Sequence, residues 1–315
     1  MRAMILAAGL GTRMQPLSAL RPKPAVPVQG VPVIARLFAL LVSNGVTQVM
    51  VNLHSLADTM RSTARAWCPP ELELYFSEEN ELLGTGGGIS RAEAFLRGSN
   101  PSLVLAGDML LDVDLARFAT EHRERGAAAT LLLRKDPRSE TFGSIGTDAS
   151  GNVRRIGDDF DLGGATDAGL FVGVRAFSPS CFDTLPHRGG AFEDLRDWLA
   201  IDLRERRQKV RADALPPEQL GWEPIGTPTE YLRANLAFNR RFALRAPMPL
   251  ADGTCIEPGL IVGRGATVEP GARLERAVIW DGEHVPAGLH VSDGVFAGGH
   301  FHRVSPEPTP GANGT

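Results

Sequence analysis

The apolar run Met4-Ile-Leu-Ala-Ala8 breaks into Gly9-Leu-Gly11-Thr-Arg13, and that junction constrains what the rest of the chain can be. A short run with no polar face reads as a strand buried on both sides. Glycine at positions 9 and 11 lets the backbone turn and lets a ligand approach where a Cβ would stand in the way. A turn of unpaired amide N–H groups beside a guanidinium suits phosphate. A little further on, Pro22 and Pro24 bracket Lys23 and hold its backbone extended. Either half alone is most simply an ordinary glycine turn or a proline-rich connector. Together, a stiff lysine aimed back at a glycine turn fits a polyphosphate better than a protein partner.

The next stretch alternates in period. Val33, Ile34, Leu37, Phe38, Leu40 and Leu41 share one helical face that ends at Asn44-Gly45. Residues 46–53 read as a buried strand, residues 55–67 as a helix stopped by Pro69-Pro70, and Leu72, Leu74 and Phe76 as a third strand. This order predicts an α/β fold, a Rossmann-like and mostly parallel sheet with helices on both faces. Ligands of such sheets sit at the carboxyl ends of the strands, which is where the first glycine turn falls. Gly84-Thr85-Gly86-Gly87-Gly88 precedes Ile89, Ala92, Phe95 and Leu96 at helical spacing, so these glycines are expected at a helix start whose exposed amides could hold a base edge or an anion. The strand over residues 102–110 carries Gly107-Asp108, an acid placed to hold a hard cation or simply a turn aspartate. Asp114, just before Leu115, reads as a helix N-cap. Further strands are expected over residues 127–133 and 168–174, with a hairpin turning at residues 148–152, and the helix from Pro228 is expected to run to about Phe242.

From Ile256 the beat changes. Ile256, Val262, Val268 and Leu274 are six apart, and after a one-residue slip Ile279, Val285 and Val291 resume the step, with Gly259, Gly265, Gly271, Gly282, Gly288 and Gly294 keeping the same beat three behind. This is the hexapeptide repeat of a short left-handed β-helix, at about 18 residues per coil only two or three coils, few to stand alone. It should lean on the domain before it or on another subunit. The expected division is a domain over 1–245, a β-helix over 246–303 and a disordered tail over 304–315.

Composition narrows the partners. Lys and Arg number 33 against 37 Asp and Glu, a net charge of −4 that argues against nucleic acid. No apolar run approaches the roughly 20 residues of a membrane span, and the N-terminal run is too short for a signal peptide. Cys68, Cys181 and Cys255 are far apart and read as reduced thiols in a cytoplasm.

Leu-Ala-Ala-Gly-x-Gly-Thr-Arg-Met-x-Pro-Leu-Ser followed by Arg-Pro-Lys-Pro resembles the signature of sugar-1-phosphate nucleotidyltransferases, a group that includes mannose-1-phosphate guanylyltransferases and N-acetylmuramate-phosphate uridylyltransferases. The resemblance implies the nucleotide-diphospho-sugar transferase fold and attack by a sugar-1-phosphate oxygen on the α-phosphorus of a nucleoside triphosphate. It assigns Leu6, Ala7, Ala8, Gly9, Gly11, Thr12, Arg13, Glu79, Gly84, Thr85, Gly86 and Gly87 to the nucleotide, with Arg13 and Lys23 as catalytic cations. It assigns Gly143, Asp167, Gly169 and Glu193 to the sugar phosphate, Asp167 standing where the family's Asn-Ala-Gly has asparagine. Asp108 matches the magnesium ligand, so Mg²⁺ is the expected cofactor. Trp222-Glu-Pro-Ile-Gly-Thr-Pro resembles the closing motif, but Pro224 replaces the acid that is the second metal ligand, and Glu223 stands one residue early. Asp159 falls where guanylyltransferases carry a lysine, with Arg154 or Arg155 as substitutes. GTP with mannose-1-phosphate is the first expectation and a uridylyltransferase acting on an amino-sugar-1-phosphate the second. A non-catalytic nucleotide-sugar-binding regulator, oligomeric through the β-helix, is the alternative from another class. A homo-oligomer is expected in either case.

Overall fold

The computed structural model describes residues 1–138, 144–186, 190–242 and 254–305. The parallel core of the sheet is Glu73–Glu78, Gln48–Leu53, Arg2–Leu6 and Ser102–Ala106, side by side in that order. The three inner strands alternate their apolar side chains between two packed layers, and the edge strand Glu73–Glu78 packs Leu74 and Phe76 into one. Ala3, Ile5, Leu103 and Leu105 enter one core with the helix Val33–Ser43, while Met4 and Val104 enter the other with Ile89, Leu131 and Trp198. Burial on both faces is why Arg2–Leu6 and Ser102–Ala106 read as apolar runs, whereas the edge strand Glu73–Glu78 only alternates.

Beyond Ser102–Ala106 the sheet turns antiparallel. The long strand Asp167–Phe177 pairs with Ser102–Ala106 on one side and Ala129–Arg134 on the other, and its first residues also pair with Ser144–Thr147. Its register against Ala129–Arg134 shifts between Phe171 and Arg175, around Gly173 at φ +80°. The expected hairpin is present: Val153–Ile156 pairs with Ser144–Thr147, and the Asp148 carboxylate accepts the backbone N–H groups of Ser150 and Asn152 at 2.9 Å. Asp114 caps Leu115–Glu124 by accepting from the Arg117 N–H at 2.8 Å. The stretch expected as one strand over 102–110 is two. Met109–Asp112 leaves the main sheet after Asp108 and pairs with Gly221–Pro224. The helix from Pro228 ends at Leu236, short of the expected Phe242. Among the described residues no helix is long and apolar enough to cross a membrane.

The C-terminal strands stack as expected, with a coil one residue shorter than the sequence beat suggested. Val262 pairs with Ile279, Val268 with Val285 and Leu274 with Val291, and the side-chain bonds between rungs span 17 positions. The slip between Leu274 and Ile279 is the missing residue of the coil. Leu260–Val262, Arg273–Ile279 and His290–Ala297 form the parallel wall, closed at its two ends by antiparallel Cys255–Glu257 and His300–Arg303. Ile279, Val285 and Phe296 fill the coil, whereas Ile256 and Val268, expected inside, are 51% and 41% exposed. The outer face of the wall continues the main core: Ile261, Val278, Trp280, Val295 and Ala297 pack with Tyr231 and Leu232 of the helix Pro228–Leu236. Of the two supports the sequence left open, the catalytic domain supplies one. The expected boundary at 245/246 and most of the tail expected over 304–315 lie outside the described residues.

One buried titratable group gives the fold a pH dependence. His122 is fully buried, its ring nitrogens 2.8 Å from the Thr130 hydroxyl and 2.9 Å from that of Ser178. Burial, with the nearby Arg123 charge, lowers its pKa from 6.5 to about 4. The folded state therefore binds fewer protons than the unfolded chain in that window, and stability falls as the pH drops through it. We expect His122 to account for roughly 3 kcal/mol of acid destabilisation between pH 6.5 and 4, read as the difference in urea-unfolding free energy between the parent and His122→Gln across that range.

Candidate active site

One cavity of about 480 Å³ opens at the carboxyl ends of the parallel strands, where the strand order reverses around Arg2–Leu6. Leu6, Ala7, Ala8, Gly9, Gly11 and Arg13 line it, and Lys23, Asp108, Glu79, Gly84, Thr85 and Glu193 join them from elsewhere in the chain. The two halves of the N-terminal signature touch. Gly11 sits at φ +64°, and a Cβ there would stand 2.9 Å from the Ser18 Cβ, so glycine is what lets the turn close on Ser18, with the Lys23 Cγ in ordinary contact at 3.4 Å. A Cβ on Gly9 would meet no protein atom within 4 Å, and the space beside that backbone is open to whatever enters the cavity.

Lys23 reaches across to Asp108, Nζ to Oδ2 at 3.1 Å, with the carboxylate side chain 38% exposed and the lysine 12%. Gly107 sets that carboxylate against the first strand. Its N–H donates to the Leu6 carbonyl at 3.0 Å, and a Cβ on it would lie 2.7 Å from the same oxygen. Arg13, exposed on the turn, makes no side-chain hydrogen bond or ion pair among the described residues. A fixed lysine, a free guanidinium and bare turn amides can neutralise a polyphosphate without any side-chain nucleophile.

The wall beside Gln48–Leu53 and Glu73–Glu78 is polar and tied together. The Asn52 carbonyl oxygen accepts the Ala7 N–H at 2.6 Å, and its amide donates to Glu79 at 2.7 Å. Gly84, at φ +70°, opens the expected helix Gly84–Arg91. Not all of its amides are exposed as expected. The N–H groups of Gly86 and Gly87 both point to the Phe192 carbonyl, at 2.9 and 3.3 Å, and a Cβ on Gly86 would run into the Phe192 ring. Those two glycines are buried packing positions behind the cavity, and Thr12 is exposed on the turn outside the cavity wall. Thr85 remains at the cavity, its hydroxyl 2.7 Å from Glu193 and 2.6 Å from Asp194.

On the other side of the first strand the structure departs from the sequence expectation by four residues. Asp167 is exposed and paired with Lys135 at 3.0 Å, which together with the Ala168 N–H holds its carboxyl below the usual range, and Gly169 packs on Leu133. The cavity wall is instead Phe171, Val172, Gly173 and Arg175. Gly173, pressed against the Ala106 Cβ, is the glycine that meets the cavity. Arg175 is buried and holds Asp194 through two bonds of 2.5 and 2.9 Å, an arrangement whose only sequence trace was a charge in an apolar strand. Asn52 likewise showed only as a polar residue near the end of an apolar strand. Gly143 lies outside the described residues.

Glu223 and Pro224 face opposite ways, as neighbours in a strand must. Pro224 lines the cavity, while the Glu223 carboxylate bonds Arg233 at 2.7 Å in a separate cleft, so the structure does not bring Glu223 to Asp108. The acid that does join the cavity from this motif is Glu230. It accepts the Gly226 N–H at 2.7 Å, and its own N–H donates to Thr227 at 3.2 Å, a variant of the capping box. Asp159 lies in an exposed turn, and Arg154 and Arg155 are bonded to Gly163 and Gly157 on the edge hairpin, away from the cavity. Among the described residues no group of three or more His, Cys, Asp and Glu gathers as a metal site. One exposed carboxylate beside the glycine turn still fits magnesium, which takes one or two carboxylates and draws the rest of its shell from water and substrate phosphates.

Residues 2–158 match the family model described as nucleotidyl transferase. Over 301 residues the chain is 29% identical to the mannose-1-phosphate guanylyltransferase of Mycobacterium tuberculosis, covering 91% of this chain and 81% of that one. It is 30% identical over 279 residues to the UTP–glucose-1-phosphate uridylyltransferase of Synechocystis sp., at 84% and 69% coverage. Among solved structures, HddC from Yersinia pseudotuberculosis is similar with a TM-score of 0.62 and 26% identity over 76% of this chain and 99% of that one, and is also known complexed with GMP-PN. With a 30% identical relative spanning most of both chains, and a family match that takes in the glycine turn, Lys23 and Asp108, the chain belongs to the sugar-1-phosphate nucleotidyltransferases.

Proposed function

We propose that this enzyme joins GTP to mannose-1-phosphate, releasing pyrophosphate and forming GDP-mannose. The observation that carries the reading is the meeting of Lys23 and Asp108 at 3.1 Å beneath the glycine turn that bears Arg13. The guanylyltransferase name of the Mycobacterium relative and the GMP-PN complex of HddC support guanine, and the same relative supports mannose. A uridylyltransferase is the second reading, favoured by the name of the Synechocystis relative.

We place the base and ribose on the Asn52, Glu79 and Gly84 side of the cavity, the sugar on the side of Phe171–Gly173 and Trp222, and the α-phosphate under Gly9, with Thr85 and Glu193, whose side chains meet at 2.7 Å, between the two ends. In the reaction an oxygen of the sugar phosphate bonds to the α-phosphorus as the bond to the pyrophosphate oxygen breaks, and no protein side chain is acylated or phosphorylated. Two anions must approach, so the protein's work is alignment and charge neutralisation. Arg13 holds the phosphates that leave. Lys23 turns from Asp108 to the α-phosphate and offsets the charge that grows there. Enzymes of this family use a divalent metal; a magnesium ion on Asp108 would add positive charge at the phosphate oxygens. With Pro224 in the wall, Asp108 is the protein carboxylate we assign to it.

Three outcomes test this. A screen of four nucleoside triphosphates against a panel of sugar-1-phosphates, read as pyrophosphate release, should peak at GTP with mannose-1-phosphate; a maximum with UTP would hand the site to the second reading. Lys23→Ala should lower kcat by roughly 10²–10³-fold while nucleotide-sugar affinity, measured by calorimetry, changes far less. Unchanged turnover would sink the role given to Lys23. Asp108→Asn should weaken Mn²⁺ binding to the enzyme–nucleotide complex relative to the parent, followed by the metal's paramagnetic resonance signal, and an unchanged affinity and signal would place the metal elsewhere.

A further inference from the structure

The contact between the β-helix and the catalytic domain falls on the segment that carries Lys23. Trp280, 2% exposed, lies on the outer face of the β-helix wall. Its indole N–H donates to the Tyr231 hydroxyl at 2.9 Å, and that hydroxyl donates to the Pro27 carbonyl at 2.7 Å. The same indole ring carries the Arg21 guanidinium over its face, 4.8 Å from the centroid. Arg21 and Pro27 lie on either side of Lys23 in sequence, so one side chain of the β-helix grips the lysine segment on both sides. Between the grips the backbone is a single tight turn, Lys23–Ala25, with the Ala25 N–H on the Pro22 carbonyl at 2.8 Å and the Val26 N–H on that of Lys23 at 3.2 Å. Leu20, just before Arg21, lies against Gly298 of the β-helix, where a Cβ would come within 3.1 Å of it.

We propose that Trp280 is a positioning residue for the transfer step, and that the β-helix serves the enzyme as an intramolecular brace on Lys23. The proposal rests on the catalytic role given to Lys23 above. A proline-bracketed turn is stiff within itself but can still tilt as a body. Two grips separated along the chain remove that tilt, and a displacement of about 1 Å in a charge that must meet the transition state costs up to ~10²-fold in rate. Lys23 matters most when charge grows on the α-phosphate, so loosening it should act on kcat and spare nucleotide binding. Burial pushes the Tyr231 hydroxyl pKa well up, so it stays protonated and able to donate to Pro27 through the working range.

The test uses the full chain with Trp280→Leu, which loses both the N–H and the ring face, and Trp280→Phe, which keeps a ring beneath Arg21 and guards against simple loss of folding. We expect kcat to fall ~10–100-fold in Trp280→Leu and less in Trp280→Phe, with the Kd for nucleoside triphosphate unchanged. In a Lys23→Ala background, Trp280→Leu should cause little further loss, because the residue acts through the lysine; a multiplicative loss in the double variant overturns the proposal. Hydrogen exchange gives a readout independent of turnover: the amides of Ala25 and Val26 should exchange faster in Trp280→Leu while those of Gln48–Leu53 do not. Unchanged exchange at Ala25 and Val26 also overturns it. A parent enzyme without turnover on any substrate pair, but with the exchange response intact, would instead remove the catalytic reading and leave the brace standing.

Discussion

Two phosphate-bearing substrates repel each other, and the function proposed here depends on one fixed positive charge, Lys23, held against Asp108 at 3.1 Å. Lys23 and Asp108 come from segments 85 positions apart, yet their side chains touch. That contact requires Leu6 and Ala106 to end adjacent parallel strands, as the register of Arg2–Leu6 against Ser102–Ala106 ensures. It also requires Gly107, where the acid's backbone presses on Leu6. With only protein present, the lysine and the acid satisfy each other's charge. Substrate and metal would replace one partner for each, so the pair exchanges neutralising contacts instead of exposing bare charges as the cavity fills.

The features the sequence disclosed are those written in short-range patterns. The glycine turn, the prolines around Lys23, the acid at a strand end and the six-residue beat each depend on neighbours a few positions apart; the glycine turn and the acid lie where the pattern placed them, whereas Lys23, expected extended between its prolines, starts the tight turn Lys23–Ala25, and Ile256 and Val268 of the beat are exposed. Even the coil length was present in the slip between Leu274 and Ile279, which shortens the coil to a spacing of 17. What stayed hidden depends on register or on distant partners. An eleven-residue strand such as Asp167–Phe177 offers Ala168-Gly169 and Val172-Gly173 as equal candidates for the cavity. Only the shift between Phe171 and Arg175 decides which glycine faces it. Likewise, a glycine run announces a helix start, but nothing local says that the Phe192 carbonyl will occupy the amides of Gly86 and Gly87.

The closing motif shows how substitution and fold interact. Pro224 removes a carboxylate from the cavity, and the adjacent Glu223 cannot restore it because strand alternation sends it to Arg233. Pro224 also lacks the N–H a strand would use, and the ladder absorbs this because Met109–Asp112 and Gly221–Pro224 form a separate two-stranded sheet, with Ile225 supplying the next bond to the Asp108 carbonyl at 2.8 Å. The proline therefore leaves Asp108 in place while altering what stands beside it. A divalent metal on Asp108, as proposed, would have one protein carboxylate and the substrate's own oxygens, a sparse shell of the kind magnesium accepts because it keeps its waters.

The same economy explains why the short β-helix lies where it does. Its few coils bury too little inside themselves to stand alone, and their outer face joins the main core through Ile261, Val278 and Val295. A face required for stability must dock somewhere, and docking on the helix Pro228–Leu236 costs the fold nothing extra. Once docked, it stands next to the residues that flank Lys23, because that helix starts at the cavity edge with Gly226 and Glu230. Stability and positioning thus share one interface. A change that loosens the β-helix should be felt at Lys23 before the sheet beneath it yields, since the parallel strands are held on both faces by cores the β-helix only extends.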